Sequence, residues 1–196
     1  MPRQMPKWFE RLYSIVNTLL GIAVITFAIA WIWSSDQRAQ CEAFAKSLSG
    51  AALRGDTDAV TTFIASGFDV NTPTEHGITA LHYAASHGHS DIILLLIKAG
   101  AHLEPRDYLW GHTPLHSAAR YGETEAAITL LEAGADIHAL NFWGQTPFLR
   151  ALQYARADTA LTLLDQGSHE DVTDIFGNNA IHYMQDILNI VTDIEQ

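Results

Sequence analysis

The glycines Gly67, Gly100, Gly134 and Gly167 stand at intervals of 33, 34 and 33 residues, and Gly77, Gly111, Gly144 and Gly177 repeat the beat ten or eleven places later. A period near 33 marks a repeat array in which each unit is one supersecondary piece that cannot bury its apolar side alone. Stability must then come from stacking neighbours. Any binding function is expected on an extended surface instead of in a single cleft.

Within each unit the residue types predict two helices. Thr113 and Thr146 can cap helix N-termini through their hydroxyls, and Pro114 and Pro147 suit a first helical turn, where no amide donor is needed. The apolar pairs Phe63-Ile64, Leu96-Ile97, Leu130-Leu131 and Leu163-Leu164 recur once per unit, as expected of second helices buried against the next unit. The first glycine series then ends those second helices in a left-handed conformation. Helix, turn, helix and extended finger is the expected pattern. The extra residue of the 34-residue interval falls between Gly100 and Gly111 and is expected beside Pro105.

The stretch Gly111-His112-Thr113-Pro114-Leu115-His116-Ser117-Ala118-Ala119-Arg120-Tyr121-Gly122 resembles the core of the ankyrin repeat. Gly77 to Gly88 reads GITALHYAASHG, and Gly144 to Ala155 reads GQTPFLRALQYA, with Leu149 and Ala155 replacing the usual His and Gly. The first unit begins near Phe44 and keeps Leu48, Ala51, Ala52 and Gly55. After Gly177 the run Asn178-Asn179-Ala180-Ile181-His182-Tyr183-Met184 opens a last, partial unit. The resemblance implies an all-α ankyrin-repeat solenoid over residues 44–196, of about four repeats plus a terminal helix. It also implies a protein partner, no cofactor and no enzymatic activity.

His82, His116 and His182 occupy one slot in different units, which the resemblance reads as a hydrogen bond to backbone between units. His87 and His89 are two apart at a helix end and lack Cys or carboxylate companions at ligand spacing, so no metal site is expected. A metal-dependent enzyme using His82, His87, His89, His112 and His116 is the competing class, and no spacing requires it. Phosphate-binding loops and nucleophile elbows are missing from the sequence.

Charge divides the chain. From Leu12 to Ser35 there is no Asp, Glu, Lys or Arg, and residues 12–33 are long enough, at about 1.5 Å per residue, to cross a hydrocarbon layer of about 30 Å. Residues 1–33 carry three Lys+Arg against one acid, and the remainder carries 8 against 21, a formal charge of 8 − 21 = −13. That balance disfavours nucleic acid, whose phosphates would be repelled. Arg3, Lys7 and Arg11 before the run place residues 1–11 in the cytoplasm by the positive-inside rule, with the array beyond a bacterial inner membrane, in the periplasm.

Trp8, Tyr13, Trp31 and Trp33 suit the two interfaces. The alternative is a cleaved signal peptide ending near Ala28-Ile29-Ala30, although the apolar run continues through Trp33. Asn17, Gly21, Val24 and Ala28 fall on one helix face and offer a contact to another membrane helix; a lipid-facing helix is the plainer reading. The linker 34–43 spans at most about 35 Å, which keeps the array close to the membrane. The single cysteine, Cys41, excludes a disulfide within the chain.

Two rows of residues are left free by the repeat core. The finger tips read Glu75-His76, Leu109-Trp110, Phe142-Trp143 and Ile175-Phe176, and Trp110, Trp143 and Phe176 are expected to form an aromatic stripe. The first helices contribute Tyr83, Ser86 and His87, then Ser117, Arg120 and Tyr121, then Arg150, Gln153 and Tyr154. Arg120 and Arg150 are two of few cations in an acidic domain and suit an acidic spot on a partner. Packing of the finger aromatics on one another is the alternative use. The expected function is a membrane-anchored binding module acting as an accessory subunit of an envelope complex. An immunity protein neutralising a toxin and a cytoplasm-facing scaffold are the alternatives.

Overall fold

The computed structural model describes residues 43, 47–169 and 171–185. The apolar run 12–33, with Asn17, Gly21 and Ala28, lies outside them, as do Cys41 and residues 186–196. The chain divides into two units, Met1–Phe44 and Ala45–Gln196, and the second holds every element below. Among the described residues no helix is long and apolar enough to cross a membrane.

Four helical hairpins follow one another. They are α1 (Leu48–Arg54) with α2 (Thr57–Ala65), α3 (Ala80–Ser86) with α4 (Ser90–Lys98), α5 (Pro114–Tyr121) with α6 (Thr124–Glu132), and α7 (Pro147–Gln153) with α8 (Ala157–Asp165). Residues 180–185 are again helical, and no strand occurs among the described residues. First helices stack in the order α1, α3, α5, α7, and second helices in the order α2, α4, α6, α8. The described array is thus an all-α solenoid of four hairpins and the start of a fifth unit.

Local chemistry sets each start. Ser47 Oγ accepts from the Gly50 amide at 3.1 Å, Asp56 Oδ1 from Ala59 at 3.0 Å, and Thr113 and Thr146 hydroxyls from the amides of His116 and Leu149. Pro114 and Pro147 stand in the first turn. The second helices α4, α6 and α8 lack a side-chain cap. Two of their flanking residues reach the preceding unit instead: His89 Nε2 lies 3.3 Å from the Leu53 carbonyl, and Arg156 Nε donates to the Arg120 carbonyl at 3.1 Å.

Small residues set the spacing of the first helices. Ala51, Ala52, Ala84, Ala85, Ala118 and Ala119 are wholly buried, which lets the backbones approach closely, while Leu96, Leu130 and Leu163 fill the second-helix layer. Each such leucine contributes about 1.5–3 kcal/mol by leaving water. Only the leading member of each apolar pair is fully enclosed, and the first unit differs: Val60 is enclosed, whereas Phe63 and Ile64 are half-buried. The Phe63 ring turns edge-on to Phe68, 5.6 Å away.

Gly67, Gly100, Gly134 and Gly167 follow the second helices at φ +77°, +91°, +97° and +101°. After the first helices, Gly55, Gly88 and Gly122 are also left-handed, and Ala155 is forced into the same region at φ 55° in the slot Gly88 and Gly122 fill elsewhere. An L-residue pays steric strain there. Ala155→Gly is therefore expected to raise stability by about 0.5–1 kcal/mol, after the extra flexibility glycine adds to the unfolded chain. The check is an upward shift of the urea midpoint at constant slope; a lower midpoint contradicts it.

The fingers are turns tied to one another by single backbone hydrogen bonds, not extended strands. Tyr108 N donates to the His76 carbonyl at 2.9 Å, Phe142 N to Trp110 at 3.0 Å and Ile175 N to Trp143 at 2.8 Å. These bonds align Tyr108 with Phe142 and Ile175, and Trp110 with Trp143. They also relocate the extra residue of the long interval. Gly77, Gly144 and Gly177 close three-residue turns onto Thr74, Asn141 and Asp174, whereas Gly111 N reaches back four residues to the Asp107 carbonyl. The insertion is at the tip, at Leu109, and not beside Pro105.

Candidate functional site

A buried polar side chain holds each of the three later fingers. Asp107 Oδ1 accepts from the Leu109 and Trp110 amides at 2.9 and 2.6 Å, and Oδ2 from His112 N at 3.1 Å. Asn141 Oδ1 accepts from Trp143 and Gln145, both at 2.9 Å, and Asp174 Oδ1 from Phe176 and Asn178, both at 2.9 Å. In an isolated turn these amides would face water. Here each finger presents its tip in a set direction. The recurrence of Asp107, Asn141 and Asp174 at intervals of 34 and 33 is the sequence signal of this role, and it lies outside both expected rows.

The histidines are structural. In His82, Nδ1 accepts from the Thr79 amide at 3.1 Å, which leaves the proton on Nε2, 3.0 Å from the His112 carbonyl. His116 repeats this with the Thr113 amide at 3.3 Å and the Gln145 carbonyl at 2.9 Å. Each ring caps its own helix and bonds the next unit. Burial lowers the pKa of both, that of His116 to about 4, so both are neutral at pH 7. His182 occupies the equivalent slot but is exposed.

Leu149 takes this slot in the α7 unit, and another tie replaces the lost one. Gln145 Nε2 donates to the Tyr183 hydroxyl at 2.8 Å, which donates to Asp174 Oδ2 at 2.6 Å. His87 and His89 do meet, with near-parallel rings 6.2 Å apart, because the turn at Gly88 reverses the chain between them. Among the described residues no three His, Cys, Asp or Glu side chains gather as a metal site would need.

The two candidate rows form one face. Trp110 and Trp143 lie 6.3 Å apart, and His112 completes a triangle with them at 5.4 and 6.1 Å. Phe176 makes no ring contact with Trp143 and is 71% exposed, so the aromatic stripe is a pair of indoles with a separate phenyl at the next tip. Leu109 and Ile175 are exposed, and so is Tyr108, which belongs to neither of the two expected rows.

Phe142 serves both expected uses. It is 58% exposed, yet its ring covers Gly111, where an added Cβ would come within 2.6 Å of it. Gly111→Ala, at φ +67°, is expected to cost about 2 kcal/mol from backbone strain and ring displacement together. Gly100→Ala, at φ +91° with open space around it, carries the strain alone and should cost about 1 kcal/mol. Urea unfolding of the two variants checks the difference.

Below the tips the first-helix side chains interleave cations and rings. The Arg120 guanidinium lies 5.1 Å from the centroid of Trp110, 5.4 Å from Tyr121 and 4.9 Å from Tyr154; that of Arg150 lies 5.5 Å from Trp143 and 4.8 Å from Tyr154. Such contacts are worth roughly 0.5–2 kcal/mol each. Arg150 departs from expectation, being only 4% exposed. Its Nη1 donates to Gln153 Oε1 at 2.5 Å and its Nε has no hydrogen-bond partner; burial lowers its pKa.

His112 sits behind these groups, Nδ1 3.3 Å from Asp107 Oδ2 and Nε2 buried without a partner. Burial first, then the nearby arginines, hold its pKa at about 2, so the contact to Asp107 is a hydrogen bond from a neutral ring. Tyr121 is exposed and stacks on His87, while Tyr83 is half-buried and lines the same recess as Arg120.

Stacked, capped helical hairpins joined by turn-like fingers define a helical-repeat solenoid with one continuous face of finger tips and first helices. Residues 48–141 and 110–175 match the family model described as ankyrin repeats in three copies, and the chain belongs to the ankyrin-repeat family. It is similar to "Ankyrin repeat-containing protein P1E11.10" of Schizosaccharomyces pombe, 42% identical over 57 residues, covering 29% of this chain and 28% of that protein. It is also similar to human "Ankyrin repeat domain-containing protein 39", 38% identical over 58 residues, covering 30% and 32%. "Probable E3 ubiquitin-protein ligase XBOS33" of Oryza sativa subsp. japonica matches at 38% over 61 residues, 31% of this chain and 12% of that protein. The chain therefore spans under a third of the length of each of these relatives. The family is one of protein-interaction modules, and this is the class of action the fold carries.

Proposed function

We propose that this chain is a membrane-tethered binding module that captures a protein near the membrane through its finger face, as an accessory subunit of an envelope complex. The reading is carried by the row of exposed apolar tips, Leu109, Phe142, Ile175 and Phe176, standing above the interleaved arginines and aromatics. Large apolar side chains held outward on an ordered scaffold are what interface hot spots are made of. The tether rests on the uncharged run 12–33, and its orientation on Arg3, Lys7 and Arg11. Binding acts by positioning or occlusion, without chemistry.

The test is site-specific photo-crosslinking in cells. A crosslinkable residue at Phe142 or Phe176 is expected to trap one discrete partner, and one at Thr62, on α2, to trap none. The double variant L109S/F176S should reduce trapping from Ile175 at least tenfold with little change in melting temperature. Unchanged trapping with a large loss of melting temperature would mean that the tips serve only the array. A reporter fused after Gln196 assigns the compartment, and extraction of the protein by alkaline carbonate would remove the tether from the proposal.

A further inference from the structure

Two guanidinium groups flank one phenol ring on the finger face. Arg120 and Arg150 lie 4.9 and 4.8 Å from the Tyr154 centroid, and among the described residues neither comes within 4.0 Å of a carboxylate oxygen. This is unusual in a domain carrying 19 acidic residues, where a cation can readily find an anion.

The two acids lining the neighbouring recesses are committed elsewhere. Asp107 is occupied by the amides of its own finger and by His112, and Asp174 by Phe176, Asn178 and Tyr183. Arg150 bonds only neutral partners, Gln153 and Gln145, and leaves Nε unpaired although it is almost wholly buried. A desolvated cation without a counter-ion is costly, and the ring faces offset only part of that cost.

We infer that Arg120 and Arg150 form a paired carboxylate site that takes acidic side chains from an extended segment of the protein partner; this rests on the reading of the finger face as a binding surface. Each arginine borders a recess. The one beside Arg120, about 120 Å³, is walled by Trp110, Tyr121 and Ser117. The one beside Arg150, about 310 Å³, is walled by Trp143, Gln153 and Phe176.

The two guanidinium groups, 4.9 and 4.8 Å from one ring centroid, lie at most about 10 Å apart, which about three residues of extended chain span. Each anion would dock beside an aromatic edge and a guanidinium together, and an arginine fork matches a carboxylate in geometry as well as charge. The acidic remainder of the domain repels the same segment in any other position, so the site also fixes register.

The test uses the full chain in detergent and a fluorescein-labelled peptide bearing two glutamates three residues apart with an intervening phenylalanine. Its counterpart carries glutamines instead. The glutamate peptide is expected to bind at least tenfold more tightly in 50 mM salt, and raising salt to 500 mM should remove most of that preference. Arg120→Gln, at a partly exposed position, should abolish the preference while circular dichroism shows the helical fold retained, and Arg150→Lys, which keeps the charge but loses the fork, should weaken it. Equal affinity for the two peptides, or a preference that survives Arg120→Gln, overturns the carboxylate site. Crosslinking from Phe142 keeps the two ideas separable: if the trapped partner persists undiminished in Arg120→Gln, the surface stands and the carboxylate site falls.

Discussion

Unfolding the array at pH 5 instead of pH 7.5 is expected to require about 4 kcal/mol less free energy, from two buried imidazoles alone. His112 and His116 are held neutral by burial, with pKa values of about 2 and about 4 against 6.5 for a free side chain. Below pH 6.5 the unfolded chain takes up protons that the folded chain refuses. The stabilisation is complete above the unfolded value and is lost as pH falls, down to about 4 for His116 and further for His112. Each contributes about 2 kcal/mol of the loss at pH 5, and His82, shifted in the same direction by burial, adds to it. Urea titrations at pH 5, 6 and 7.5 measure the effect, and His116→Gln should remove about half of it. A midpoint that does not move over this range would show that these rings are not excluded from water.

His116→Ala is expected to lower stability by about 3 kcal/mol at pH 7.5, a fall in melting temperature of roughly 6–12 °C. The ring is fully enclosed, caps α5 through Thr113 and bonds the Gln145 carbonyl of the next unit. Its removal leaves an amide and a carbonyl without that partner and opens a cavity. Helix capping and inter-unit coupling fail together, so the loss exceeds that of an ordinary cap. His182→Ala, at the exposed equivalent, should change stability by less than about 0.5 kcal/mol. Differential scanning calorimetry of the pair decides it, and similar values for both would place the main tie between units elsewhere.

Most of the array was legible because its determinants are local. A threonine cap and a proline in the first turn act within four residues. A glycine at positive φ acts at one residue. The pairing of arginine with aromatic residues on one face was also visible, since Tyr121 and Tyr154 repeat with the period of the units and Arg120 and Arg150 fall one and four places before them. Their relative burial was not. Arg120 and Arg150 stand at different slots of neighbouring repeats, Arg120 matching Gln153 and Arg150 matching Ser117, and one is partly open while the other is enclosed. What surrounds Arg150 comes from the following finger and from Tyr183, 33 residues away.

The insertion at Leu109 is likewise invisible in the spacing of the glycines, because only the bonds between fingers show where two turns fall out of register. By itself, the sequence determined the period, the hairpins, their caps and the membership of this chain in a family of interaction modules. Tertiary structure alone decided which tips project, which arginine is enclosed and which ring nitrogen bonds the next unit. The reason is distance along the chain: the first group of features depends on neighbours a few residues apart, and the second on atoms about one repeat away, brought together only when the units stack.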